Sequence, residues 1–253
     1  PAHQTFHFKA YVGGVAQFFE VDGGNNGAGA GKASDQAIVL QELERYGESV
    51  PLLKRARAIY TVARGGDPLA VANTWVNEGG AYMGDNLFDA ALQAYSKALE
   101  IFRKHSGDDT IQIGYLANNI GWVYLLQKNY AESRDWLEVA YDIFQRHEGN
   151  FNAHITTVQI NLGLAAQGEG KMDEAISWGM KAMPYLIANR TQTLDDQRWN
   201  FEMLSLVFAD KNDAQRAIFF GKMAVNAHQE FRASNTVSGA SDLAESQRKW
   251  GRL

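Results

Sequence analysis

An all-α fold, a right-handed superhelical solenoid of antiparallel helix pairs, follows from three observations. Compact residues return every 42 positions, the larger apolar residues between them keep a three-and-four spacing, and the repeating region shows no sustained strand-type alternation. Gly79, Gly121, Gly163 and Ser205 stand 42 apart and bring Ala91, Ser133, Ala175 and Ala217 into line, together with Ala98, Ala140, Ala182 and Ala224. The same ruler reaches back to Ala37, Ser49 and Ala56, and all fifteen positions are Ala, Gly or Ser. Antiparallel helices approach closely only where Cβ bulk is small, so three compact offsets per repeat mark the seams of a helical hairpin.

Taken in order, residues 1–22 are an apolar N-terminal segment. Its Phe6–Val21 stretch is aromatic-rich and reads as the remnant second helix of a preceding pair, as a cap on the first repeat, or as a peptide that occupies a groove. Residues 23–33 read as a Gly-rich linker. Gly31-Lys32 invites a phosphate-loop reading, but Asn26 stands where a glycine is needed and Ala33 where Ser or Thr is needed. Residues 34–253 are the solenoid, about five helix pairs followed by a sixth first helix begun near Asp242. Within it aromatic or long aliphatic residues recur at Tyr46, Phe88, Tyr130 and Met172 and again at Leu40, Tyr82 and Tyr124, while Leu52, Leu53, Tyr95 and Leu137 sit on the second helix of each pair. Turns fall at Gly84-Asp85-Asn86, Gln127-Lys128-Asn129, Gly168-Glu169-Gly170 and Asp210-Lys211-Asn212-Asp213, residues that tolerate left-handed or capping geometry. Trp75, Trp136 and Trp178 occupy interior offsets.

The composition narrows the function classes. A net charge of -5 gives no electrostatic footprint for nucleic acid, although Lys54, Arg55 and Arg57 could form a local basic patch. No apolar run is long enough for membrane insertion, and a cytoplasmic location is the expectation. Without cysteine there is no disulfide framework, thiolate metal site or cysteine nucleophile. His105 and His147, 42 apart, each close a second helix and suit the negative end of its dipole; stacked repeats would hold them too far apart for one metal ion. No Ser/His/Asp arrangement is visible. We therefore expect no catalytic residue, no metal, no cofactor and no enzyme activity.

From Trp75 to Ala98 the residues carry a family pattern: Trp75, Gly79 and Tyr82, then Ala91, Tyr95 and Ala98. This resembles the tetratricopeptide repeat. A period of 42 in place of the usual 34 is similar to the long-helix subclass in kinesin light chains and in the arrays that precede CHAT-type caspase-like protease domains. The resemblance covers roughly residues 34–253 and departs from the pattern at Glu78 and Ser205. It implies a scaffold that binds a peptide or helix of a partner protein on the first helices. The alternatives it leaves open are a regulatory, substrate-recruiting region of a larger enzyme of the CHAT type and a peptide-sensing regulator.

Two residues before each aligned glycine stand Asn77, Asn119 and Asn161, pointing roughly 200° away from the packed glycine. A row of carboxamides can pair with the backbone of an extended peptide whatever its sequence, and the resemblance implies that role. The same residues also read as solvated positions or as bonds to a neighbouring repeat. Asn73, Tyr115, Asn118, Trp122, Thr157, Ile160, Trp199 and Glu202 flank them on the expected wall, which carries no Lys or Arg. That wall favours an apolar or neutral ligand over the acidic tails that chaperone-binding relatives grip with basic residues.

Overall fold

The computed structural model describes residues 6–12, 15–21, 28–62 and 66–250, with side chains described in 29–62 and 66–233. Among the described residues two strands, β1 (Phe6–Val12) and β2 (Val15–Val21), precede ten helices: α1 (Ala28–Glu42), α2 (Tyr46–Val62), α3 (Pro68–Gly84), α4 (Phe88–Ser106), α5 (Ile111–Leu126), α6 (Tyr130–Glu148), α7 (Ala153–Gly168), α8 (Met172–Ala188), α9 (Leu194–Asp210) and α10 (Ala214–Trp250). The chain forms two compact units, residues 1–161 and 162–253, with the division inside α7. In the first unit α1 packs on α2, α3 on α4 and α5 on α6; in the second, α9 packs on α8 and α10.

The compact offsets are the seams of these pairs. A Cβ on Gly79 would lie 2.4 Å from the Tyr95 ring, and one on Gly121 would lie 2.7 Å from Leu137. Ala91, Ala98 and Ala140 are fully buried in the first unit, as are Ala175 and Ala182 in the second. Where the compact residue is serine it also serves the seam: Ser133 Oγ donates to the Gly121 carbonyl at 2.7 Å, and Ser205 Oγ to that of Ala217 at 2.9 Å.

Turn chemistry keeps the same period. Glu44, Asn86, Lys128, Gly170 and Asn212, each 42 residues after the last, adopt positive φ between the helices of successive pairs. In each turn the amide that follows reaches back five residues, as from Leu87 to Tyr82 at 2.8 Å and from Asn129 to Tyr124 at 2.9 Å, and so satisfies a carbonyl of the last helical turn. The core of the first unit gathers Val76, Met83, Tyr95, Phe102, Ile113, Leu116 and Ile120; that of the second gathers Phe201, Met203, Leu204, Phe208 and Phe220.

Three sequence expectations change. The segment expected as a cap, remnant helix or peptide forms an antiparallel strand pair, registered from Phe6↔Val21 to Val12↔Val15, which overturns the remnant-helix alternative. Its β-branched and aromatic content, interrupted by Gly13-Gly14, is a hairpin signature. The linker expected over 23–33 gives way to α1 from Ala28, because Ala30 and Ala33 let the helix press against Ala56. No break precedes Asp242: α10 runs unbroken from Ala214 to Trp250, and Gly239 alone does not stop it.

Candidate functional site

Helix geometry defines the open faces in the first unit. On α5, Tyr115, Asn119, Trp122 and Leu126 are spaced i, i+4, i+7 and i+11, which sets them on one stripe about 60° wide. Asn73, Asn77, Gly80 and Gly84 hold the same offsets on α3, where Gly80 is buried and a Cβ on Gly84 would lie 2.5 Å from the Tyr46 ring, so Asn73 and Asn77 are the polar side chains left partly exposed on that stripe. Asn73, Asn77, Tyr115 and Trp122 are half-buried, and Leu126 is 39% exposed. Asn119 is buried, at 4% exposed, and its side chain makes no hydrogen bond to a described residue.

The three expected carboxamides do not form one open row. Asn161 and Asn118 are each 3% exposed, and Asn161 Nδ2 donates to Asn118 Oδ1 at 3.0 Å. They bond one first helix to the next, leaving Asn77 and Asn119 as the aligned carboxamides with side chains unbonded among the described residues. Thr157 and Ile160 are buried, and Thr157 Oγ1 bonds the Ala153 carbonyl at 3.1 Å.

Tyr115 is held from behind. Its hydroxyl lies 3.0 Å from His154 Nε2, while His154 Nδ1 is 2.7 Å from Glu148 Oε2 and the imidazole stacks on Phe144 at 5.3 Å. Burial, then the Glu148 charge, pushes the phenol up to about 12, so the hydroxyl stays protonated at neutral pH. His154 and Glu148 escaped the sequence reading because they meet Tyr115 only through the packing of α5, α6 and α7.

In the second unit Trp199 and Glu202 meet at Arg198. Its guanidinium lies 4.3 Å from the Trp199 ring centre, 3.8 Å from Glu202 and 2.8 Å from Asp195. The expected wall without basic residues is thus corrected here: Arg198 brings a cation to it, in a position adjacent in sequence to Trp199. Trp75, Trp136 and Trp178 are half-buried, and Trp75 and Trp136 pack against the core of the first unit as the interior offsets implied. Trp75 lies under Arg57 at 3.4 Å and Lys97 at 4.2 Å, and Trp178 under Lys181 at 3.8 Å. Arg57 also pairs with Glu78, which is 2% exposed and accepts from Tyr82 at 3.0 Å, so the departure from the family pattern at Glu78 is a bonded buried charge. His147 Nε2 lies 3.2 Å from Asp109. Among the described residues no group of three or more His, Asp or Glu could hold a metal ion, and no helix is long and apolar enough to cross a membrane.

No curated protein matches this sequence. The tetratricopeptide-repeat family profile matches residues 30–104 and 70–146. Among solved structures the chain is similar to BtubC (BKLC) from P. vanneervenii, with 20% identity, a TM-score of 0.69, and coverage of 83% of this chain and 82% of that one. A Podosopora anserina protein named as a kinesin light chain with nearly identical TPR-like repeats gives 15% identity and a TM-score of 0.64, with coverage of 83% and 100%. The Rap conjugation gene regulator of plasmid pLS20, in complex with the Phr* peptide, gives 15% identity and a TM-score of 0.64; this chain covers 53% of it and is itself covered over 79%. Residues 30–146 are thus similar to the tetratricopeptide repeat, and the chain shares the fold of these solved structures over about four-fifths of its length.

Proposed function

We propose that the chain is a non-catalytic scaffold that binds an extended peptide of a partner protein on the open stripes of α3 and α5. The observation that carries this reading is the pair Asn77 and Asn119, two aligned carboxamides on those stripes whose side chains make no hydrogen bond to a described residue. A carboxamide offers a donor and an acceptor, the complement of one peptide unit, and desolvating it without a partner is costly. Asn73 and Tyr115 extend the stripes, with Trp122 beside them; in the second unit Trp199 and Glu202 are the corresponding candidates. Asn118 and Asn161 hold the first helices together and take no part in this contact. A similar fold has been solved with a peptide bound, in the Rap regulator with Phr*.

The test is a random dodecapeptide display library panned against the immobilised chain. Peptides should be enriched over bare matrix, and the doubly substituted Asn77→Ala, Asn119→Ala protein should bind the leading synthetic peptide about tenfold or more weakly, the worth of one or two hydrogen bonds. Helicity should be unchanged, since neither side chain carries an internal hydrogen bond. Absence of any enriched peptide would refute the assignment.

A further inference from the structure

We propose that the first helix pair, α1–α2, is a detachable end of the array, latched to α3 through charge at the places where later joints are sealed by apolar side chains. The 42-residue period makes the joints comparable. Around α5, Met83, Leu99 and Ile120 fill three equivalent places, all of them buried in the core of the first unit. Around α9, Met183 and Leu204 fill the last two. Around α3 the same three places hold Gln41, Arg57 and Glu78.

Each of these polar residues bonds across the joint. Arg57 Nη1 donates to Glu78 Oε2 at 2.5 Å, and Gln41 Nε2 donates to the Asn77 carbonyl at 3.1 Å. Lys54 Nζ stands 3.9 Å from Glu78 Oε1, which also accepts from the Tyr82 hydroxyl of its own helix. The Arg57 guanidinium lies over the Trp75 ring. The Arg57 and Glu78 side chains are 14% and 2% exposed, so the pair has given up most of its water. Tyr46 meets Gly84 at one end of the joint, and it is the middle that differs from the later ones.

Opening an apolar joint exposes surface that water receives poorly. Opening this one returns a carboxylate and a guanidinium to water, and the hydration they recover offsets much of the attraction they lose. The first pair also keeps a small core of its own, in which Ala30, Ala33 and Ala56 gather with Ile59 and Tyr60, so it parts from α3 as a pair. Helices of 15 and 17 residues are marginal once undocked, and their amides then exchange with solvent. Opening uncovers the side of α3 that carries Trp75, Glu78 and Tyr82. None of this depends on the peptide-binding reading.

Hydrogen exchange of the whole chain, resolved by helix, tests it. Amides of α1 and α2 should exchange in step, about tenfold or more faster than those of α4 and α5. Fraying of any terminal pair would also do that, so two variants separate the causes. The double substitution Arg57→Leu, Glu78→Ile installs the residues of the next joint and should slow exchange in α1 and α2 about tenfold or more, leaving α5 and α6 unchanged. Glu78→Gln alone strands the buried guanidinium and should speed exchange in α1 and α2 by a similar factor. The proposal falls if α1 and α2 exchange no faster than α4 and α5, if they exchange out of step with each other, or if the double variant exchanges there as fast as the parent.

Discussion

Asp35 and Tyr95 each enclose an oxygen that no described group bonds, and the two differ in what that costs. The Tyr95 phenol is fully buried against the bare Cα of Gly79, and burial pushes it up, so it is neutral whenever the protein is folded. Asp35 is an acid, and burial pushes its carboxyl above the ordinary value of 3.8. The unfolded chain therefore gives up this proton at lower pH than the folded one. Stability present below the ordinary value is lost as pH rises through the folded pKa. Asp35→Asn should melt at a higher temperature than the parent at pH 7, with the gap closing below about pH 4; a gap independent of pH would show that the carboxyl is not responsible. The asparagines show where single residues were legible. Their spacing placed Asn77 and Asn119 on the open stripes, but nothing local in the sequence distinguishes them from Asn161. Asn161 is spent on Asn118, 43 residues away, and such a bond is a property of packing between repeats.

Between α5 and α6 the turn holds Lys128 at φ 62, a conformation disfavoured for a side chain with a Cβ by about 1–2 kcal/mol. Gly170 fills the equivalent place between α7 and α8 at φ 77 without that cost. Lys128→Gly should therefore stabilise the protein by about 0.5–1 kcal/mol, part of the gain being offset by the greater freedom of glycine in the unfolded chain. Equilibrium urea unfolding would show it as a higher midpoint at unchanged slope; a lower midpoint would mean that the lysine side chain contributes more than its backbone costs. Helix pairs and turns were the elements best read from sequence, because compact seams and left-handed turns each leave a residue-type signature at a fixed offset. The β1–β2 pair was less legible. Phe6–Val21 has the apolar content of a buried helix as much as of a strand, and only Gly13-Gly14 between two runs of β-branched and aromatic residues argues for pairing. The unbroken α10 was missed for the opposite reason: the 42-residue ruler called for a turn that the local sequence, without a Gly-Pro or Asn-Gly step, does not impose.

At the level of the molecule, the fold follows from periodicity while the ligand does not. The repeat is written in residues that pack, and the stripes that face a partner are free to vary without disturbing the seams. Repeat arrays draw stability from each unit and from its nearest neighbours. Duplicating residues 87–128, one full period cut at equivalent points of two turns, should therefore give a longer protein with proportionally more helix and a thermal midpoint no lower than the parent's. Circular dichroism would check it, and a broad transition at lower temperature would count against it. The five positive-φ residues at constant separation make such surgery possible, since a cut at one matches a cut at any other in backbone direction. They act as standardised joints, so that evolution, or a designer, can lengthen the molecule by whole modules without reinventing the corner.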